Sequence, residues 1–373
     1  MLFILSKYRF TLLLILISLI GGCARRHGDF SADYFSTVDA PALSIAMQQP
    51  EIIVSVSPVR QTMQIGGSIP ALVGAGISAI QDDRYGIQIR DALAGFDSNE
   101  RFKQLLRDAV AAHLDREPGQ VQPFSTSAGF HTLRDARDAR LEGLKKSGYD
   151  LLLDFDLSYG IYGPEGLLAA RIVGHISDID TGKVLWSNTI TAYSLDLFAD
   201  MKWRDPMQRI TPSLLSPRFS SAEDAVTKWI KDGGAPLKAS LEEVMQRAIA
   251  AVFTDLGFED NFDGAYTLGV HAYLNKAYGE AEALLSRAYA LDPDHREASN
   301  ALALAKAANN ATDEALTIAQ DLAAKNPEYL PSQYNLAWFY AVLLNDAQGA
   351  RPYYEKAIAL GASPSRRLKK AMN

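Results

Sequence analysis

Apolar and polar positions follow three different rhythms along the 373-residue chain. Phe10 to Ile20 is an apolar stretch interrupted only by Thr11 and Ser18, shorter than the ~20 residues a helix needs to span a bilayer. From residue 50 the pattern switches between strand and helix. Glu51 to Pro58 reads as a buried strand closed by proline, and Asn99 to Leu114 as an amphipathic helix with Phe102, Leu105, Leu106, Val110 and Leu114 on one face. Ala136 to Ser147 reads as a second helix and Tyr149 to Tyr159 as a second strand. Leu167 to Ile179 then leads through Asp180, Thr181, Gly182 and Lys183 into Val184 to Tyr193; two β-rich runs about a glycine-containing turn predict a hairpin. Ser240 with Glu243 forms a capping box, predicted to open a helix that stops at Gly257. Residues 200–238, with Trp203, Trp229 and the Gly233-Gly234 break, read as an insertion. The order predicts an α/β sandwich-like domain over residues 50–257, strands backed by helices, followed by an all-α array over 262–373.

The array repeats. Pro293 and Pro327 stand 34 residues apart, each closing an Ala-rich stretch. Within 262–295 stand Leu268-Gly269, Ala281, Leu285, Ala288 and Pro293; within 296–329, Leu302-Ala303, Ala315, Ala319, Leu322 and Pro327; and within 330–363, Leu336-Ala337, Ala350, Tyr354 and Ala357. The third copy runs one residue late, as though its inter-helix turn were longer. Ser363-Pro364 then starts a short helix that would cover the last open edge. The period and these positions resemble tetratricopeptide repeats, whose small residues let paired helices approach and whose stacking buries faces a single pair would leave wet. In that family the first helix of each pair lines a concave face. Here it would present Tyr266, Val270, Tyr273, Glu297, Asn300, Leu304, Tyr334 and Trp338. Tyr266, Tyr273, Asn300, Tyr334 and Trp338 are the predicted partner-binding residues, because Tyr and Trp combine large area with few rotatable bonds. The same rings would serve equally as packing between helices. The lysine and asparagine pattern that clamps a peptide carboxylate in some relatives is missing, with Tyr266 and Val270 in its place, which favours an internal, partly apolar segment as ligand.

The amino terminus supplies an address. Lys7 and Arg9 precede the apolar run and Gly21-Gly22 follow it, the order of an export signal over residues 1–22. Ile20-Gly21-Gly22-Cys23 resembles the lipobox of bacterial lipoproteins. That resemblance implies a lipid on Cys23, cleavage before it, a lipidated tether over 23–49, and retention in the outer membrane, since no aspartate follows Cys23. Several acyl chains anchor a protein firmly where one does not. Removing the leader leaves a chain without a second long apolar run and moves the formal charge from −7 to −9, because Lys7 and Arg9 depart. An acidic body argues against nucleic acid as a partner. Arg366, Arg367, Lys369 and Lys370 cluster on the terminal helix, where charge near a helix end suits the dipole.

Ser147 to Gly160 and Ala170 to Tyr193, above all Asp178 to Trp186, resemble the periplasmic domain shared by the curli-export lipoprotein, penicillin-binding-protein-activating lipoproteins and the amino-terminal domain of TolB. Gly67, Ala71, Ala75 and Ala79 add a small-residue stripe over 66–80 that would serve as core, interface or membrane contact. Catalytic motifs are missing. The six histidines have no metal-ligand spacing, there is no Gly-x-Ser-x-Gly elbow, and Gly160 to Gly166 lacks the lysine of a phosphate loop. Asp154, Asp156, Asp178 and Asp180 could be read as metal-holding pairs, although alternation and turn preference account for them. The expectation is a non-enzymatic outer-membrane lipoprotein facing the periplasm, with no metal or cofactor beyond the lipid at Cys23. It would scaffold or regulate envelope assembly, in cell-wall synthesis or surface-polymer export, by holding an envelope protein segment in the repeat groove. Surface exposure and homo-oligomerisation are left open. The alternative is a subunit of an oligomeric curli-type export channel, although no pair of ~10-residue alternating lipid-facing segments is present.

Overall fold

The computed structural model describes residues 26–27, 32–35, 37–56, 76–124, 133–162, 166–194, 222–362 and 366–372. Cys23 and most of the small-residue stripe fall outside them. Seven strands form one mixed sheet: β1 (Arg26–His27), β2 (Pro41–Met47), β3 (Ile53–Ser55), β4 (Gly119–Gln120), β5 (Leu151–Tyr162), β6 (Leu167–Asp178) and β7 (Val184–Tyr193). Their order is β1-β7-β6-β5-β2-β4, with β3 beside β5. The predicted hairpin is present as β6-β7, and β5 extends it into an antiparallel run of three strands, with Phe155 opposite Gly174 and Gly174 opposite Asn188.

The sheet starts earlier than the residue pattern predicts. Pro41–Met47, assigned above to the tether, lies parallel to β5 from Pro41 opposite Leu151 to Met47 opposite Leu157. Ala42, Leu43 and Ser44 are all fully buried, so this strand is covered on both faces and carries no alternation to betray it. The predicted strand at 51–58 shortens to β3, which continues along the same flank of β5 with Ile53 opposite Gly160. Arg26–His27 also joins, antiparallel to β7. Only Ala24 and Arg25 therefore separate Cys23 from the sheet.

Helices α1 (Ala32–Phe35), α2 (Gly76–Ala92), α3 (Ser98–Leu114), α4 (Leu133–Lys146) and α5 (Ala222–Asp255) back these strands. Asp97 caps α3, accepting from the Glu100 N–H at 2.9 Å. Odd-numbered β5 residues Leu151 to Tyr159 share one core with Phe102, Leu106 and Val110 of α3 and with Leu241, Val244, Met245 and Val252 of α5. Leu152 faces the other way, packing with Ala42, Leu141 and Ile179 under α4. Ser240 lies inside α5, so the capping box opens no helix. The break comes earlier, at Lys231 to Gly234, where Asp232, Gly233 and Gly234 take positive φ. A methyl on Gly234 would meet the Ala92 Cβ at 2.9 Å. Pro236 sits in the first turn after the break, where its missing N–H is not needed. Residues 222–238 are core, not insertion: Trp229 is buried and donates its indole N–H to the Gly166 carbonyl at 2.8 Å.

The array consists of α6 (Phe262–Leu274) with α7 (Tyr278–Leu291), α8 (Arg296–Ala308) with α9 (Thr312–Lys325), and α10 (Leu330–Trp338) with α11 (Ala347–Ala359). In the first pair Gly269 permits the approach, since a methyl there would meet Leu285 Cγ at 2.6 Å. All three inter-helix turns have three residues, 275–277, 309–311 and 344–346, and each turns on a positive φ at its middle residue, Lys276, Asn310 or Asn345. The late third copy is therefore not a longer turn. Its extra residue is taken up by a π-helical turn, Phe339–Leu343, that extends α10. The helix α12 (Arg366–Ala371) covers the last pair with Leu368, fully buried in the array core.

Array and sheet are joined. Leu268 of α6 belongs to the α/β core, and Leu167 of β6 to the array core. Trp186 of β7 and Asn188 donate to one carboxylate oxygen of buried Asp255, at 2.9 and 2.8 Å, which fixes β7 to the end of α5 immediately before the array begins.

Candidate functional site

Four of the five predicted partner-binding residues are packing. Tyr334 and Trp338 are 0% and 1% exposed, with Trp338 edge-on to Phe339 at 6.0 Å. Asn300 is 1% exposed and accepts from Asn335 Nδ2 at 2.7 Å, joining the second and third helix pairs. Tyr273 is buried beside Tyr278, ring centroids 5.6 Å apart. The reason lies in the helices that carry them. Ala298 to Ala305 of α8 and Pro331 to Trp338 of α10 are buried without interruption, and a helix covered all round offers no binding face. Asn335 Oδ1, Asn300 Nδ2 and Trp338 Nε1 have no protein hydrogen-bond partner.

Tyr266 is also buried in the array core, at 9% exposure, but it reaches a cavity as well. With Val270 and Glu297, expected on the same concave face though not among those five, it lines a cleft of about 230 Å³ between the array and the sheet. One wall is Tyr266, Thr267 and Val270 of α6 with His295 and Glu297 at the start of α8; the other is Thr191 to Tyr193 of β7 with Ser194 just beyond it, and Arg247 of α5 completes the lining. Strand side chains alternate between faces, so a cleft touching four consecutive residues must run along the strand's edge. That edge is open: β1 pairs only with Trp186 and Ser187, and among the described residues no strand pairs with Asn188 to Tyr193 on that side. The Thr189 N–H is met by the Asn188 side chain at 2.8 Å, leaving Thr191 to Ser194 as the stretch that borders the cleft.

The array wall is aromatic and held in place. Phe262 and Tyr266 stack at 5.7 Å with a 7° interplanar angle, and His295 lies 4.3 Å from Phe262. His295 Nδ1 accepts from the Ala298 N–H at 3.4 Å, capping α8, and stands 3.2 Å from Glu297. Arg247 is braced by Glu243 at 2.7 Å and Asp263 at 3.5 Å. Burial pushes the Tyr193 phenol up to about 12, with Arg171 partly offsetting the rise. It stays a neutral donor at any physiological pH. The cleft thus combines an aromatic wall, a strand edge with main-chain hydrogen-bonding groups, and a few side chains of both signs. These features suit an extended polypeptide segment better than a small charged ligand.

A signal for the cleft is present in the sequence. Ser187, Thr189, Thr191 and Tyr193 place a polar stripe on a strand whose alternate residues Trp186, Ile190 and Ala192 are buried.

The four aspartates each have structural partners. Both oxygens of Asp154 engage the Arg140 guanidinium, at 2.7 and 3.4 Å, and Asp180 pairs with Lys145 at 3.0 Å. Asp178 accepts from the Thr181 N–H and hydroxyl at 2.7 Å each and from the Tyr34 hydroxyl at 2.8 Å. Burial would raise its pKa, but these donors outweigh it and hold the carboxyl below the usual range. Tyr34 is raised to about 12, by burial and then by Asp178. Ser187 Oγ and His175 Nδ1 are 2.9 Å apart next to Asp154, yet with Asp154 committed to Arg140 the row is no relay. Among the described residues no group of three or more His, Cys, Asp or Glu is placed to hold a metal.

Asp156 differs. Burial, then repulsion from Asp154, raises its pKa despite a hydrogen bond from Gln48. The folded state therefore favours the protonated form, and stability is lost as pH rises from the ordinary carboxylate value through the raised one. Asp156→Asn should raise the melting temperature at pH 7, with the gain disappearing below about pH 4; thermal melts at the two pH values check this.

A tetratricopeptide repeat family model matches residues 272–340, from within α6 to the start of the π turn. The array is of the tetratricopeptide repeat kind. Its three pairs, two of them with alanine where the first has Gly269, are such repeats. Among solved structures, a PelC variant dodecamer from Paraburkholderia phytofirmans is similar at 12% identity, covering 63% of this chain and 94% of that chain, with a TM-score of 0.23. No curated protein matches the chain.

Proposed function

We propose that this protein is a non-enzymatic scaffold of the bacterial envelope, anchored in the outer membrane by lipid at Cys23 and facing the periplasm, that holds an extended segment of an envelope protein in the cleft between β7 and the repeats. It uses no metal or cofactor besides that lipid. The observation that carries the proposal is the cleft itself, where a strand edge that pairs with no other strand among the described residues faces the aromatic wall of a repeat helix. Repeats supply protein-binding surfaces, and strand edges bind extended chains through main-chain hydrogen bonds while pockets choose side chains. Tethering to a membrane raises the effective concentration of such a site toward other envelope components. Assembly or regulation of a cell-wall or surface-polymer machine is the setting that fits.

Two substitutions test the two halves. Thr191→Trp places a bulky, strand-compatible ring at the cleft mouth. Tagged protein isolated from membranes should keep its melting temperature and lose its co-purifying partner at least about tenfold, a change of ~1.4 kcal/mol, whereas Gln120→Trp on the far edge should lose nothing. An equal yield of partner from the Thr191→Trp protein would remove the cleft from the proposal. Cys23→Ser should release a folded, partner-competent protein from the membrane fraction; retention there would remove the anchor.

A further inference from the structure

We infer that the β1/β7 flank of the sheet is held against the bilayer surface, and that the cleft works at membrane-proximal height. This deepens the function proposed above and rests on the lipid at Cys23. Arg26 pairs with Ser187 and His27 with Trp186, so the chain enters the sheet three residues after Cys23. At no more than ~3.6 Å per residue, the lipid-bearing residue lies within about 11 Å of Arg26. A tether of the length read from the pattern, residues 23–49, would have reached roughly 90 Å. Acyl chains on Cys23 would sit in the hydrocarbon with their linkage at the interface, which leaves β1 little more than the depth of a headgroup layer in which to move. The sheet order then ranks the strands by height. With ~4.8 Å between neighbours, β6 lies ~10 Å and β4 ~24 Å from β1 across the sheet. Thr191 follows Ser187 by four residues on β7, ~14 Å along the strand. The cleft therefore opens along the membrane-facing flank, and the partner it fits is a segment running close to the same bilayer. A segment deep in the periplasm would be out of reach.

The test uses the full-length acylated protein in phosphatidylethanolamine–phosphatidylglycerol vesicles carrying rhodamine-headgroup lipid. Cys23 is the only natural cysteine and its thiol is consumed by the lipid, so His175→Cys on β6 or Gln120→Cys on β4, both exposed, gives a single site for a donor dye. The two sites are three strand spacings apart, ~14 Å. Energy transfer to the headgroups from position 175 should exceed that from position 120 by about twofold or more. A flexible Gly-Ser insert of about twelve residues between Ala24 and Arg25 should erase the difference. Equal transfer from both sites, in protein whose mass includes the acyl groups, would overturn the orientation alone. Protein lacking the acyl mass and floating free of the vesicles would overturn the anchor and this inference with it.

Discussion

Trp338→Ala is expected to cost about 3–5 kcal/mol of stability, the usual penalty for emptying a buried aromatic site. Trp338 is 1% exposed between repeat helices and beside the π turn that absorbs the third repeat's extra residue. Chemical denaturation of the full chain should show the array unfolding at markedly lower denaturant, while the α/β domain, with its own core, changes less. If Trp338 were instead a partner anchor on an open groove, the other of the two roles that the repeat pattern leaves open, the substitution would leave the unfolding curve almost unmoved and reduce only binding. The two outcomes are well separated.

The second large effect belongs to Asp255. Asp255→Ala leaves the Trp186 indole N–H and the Asn188 amide without their acceptor in a buried site, and each stranded donor costs about 1–3 kcal/mol. A loss of roughly 3 kcal/mol is expected, with β7 loosening first. Hydrogen exchange should then speed up at Val184–Tyr193 more than at β2, on the far side of β5. Asp255→Asn keeps an acceptor oxygen and should recover most of the loss; failure of that rescue would mean that the carboxylate serves another purpose.

The parts of the fold that carry period were legible. Val184–Tyr193 was bounded correctly from its Trp, Ile, Thr and Tyr content and from the aspartate, threonine and glycine of the preceding turn. The repeat helices were legible from residues fixed by close packing, such as Gly269 against Leu285. Pro41–Met47 was not, because a strand buried on both faces has no alternation, and its Ala, Ser and Met are weak strand formers. Nor could the pattern show that Ser240 would sit mid-helix, since a capping box specifies a start only where no helix already arrives from upstream.

The site was half legible for a related reason. Repeat position puts Tyr266, Val270 and Glu297 on the first helices' concave side, and all three line the candidate cleft. Tyr273, Asn300, Tyr334 and Trp338 share that position but not that environment, and position within a repeat says nothing about what covers it. The opposite wall, Thr191 to Ser194, lies about seventy residues earlier in the chain. It becomes a wall only because Asp255 fixes β7 to α5 and α6 packs on both. Such a junction is a property of the packed molecule, not of either pattern.

The most direct measurement of the central claim is photo-crosslinking in intact cells from a benzophenone side chain placed singly at positions 191, 194, 334 and 120. Positions 191 and 194 border the cleft, 334 is buried in the array, and 120 lies on the opposite edge of the sheet. A single adduct of defined mass, formed from 191 and 194 and absent from 334 and 120, is the predicted result. An adduct from 334 without one from 191 or 194 would contradict it and return the binding site to the concave face of the repeats.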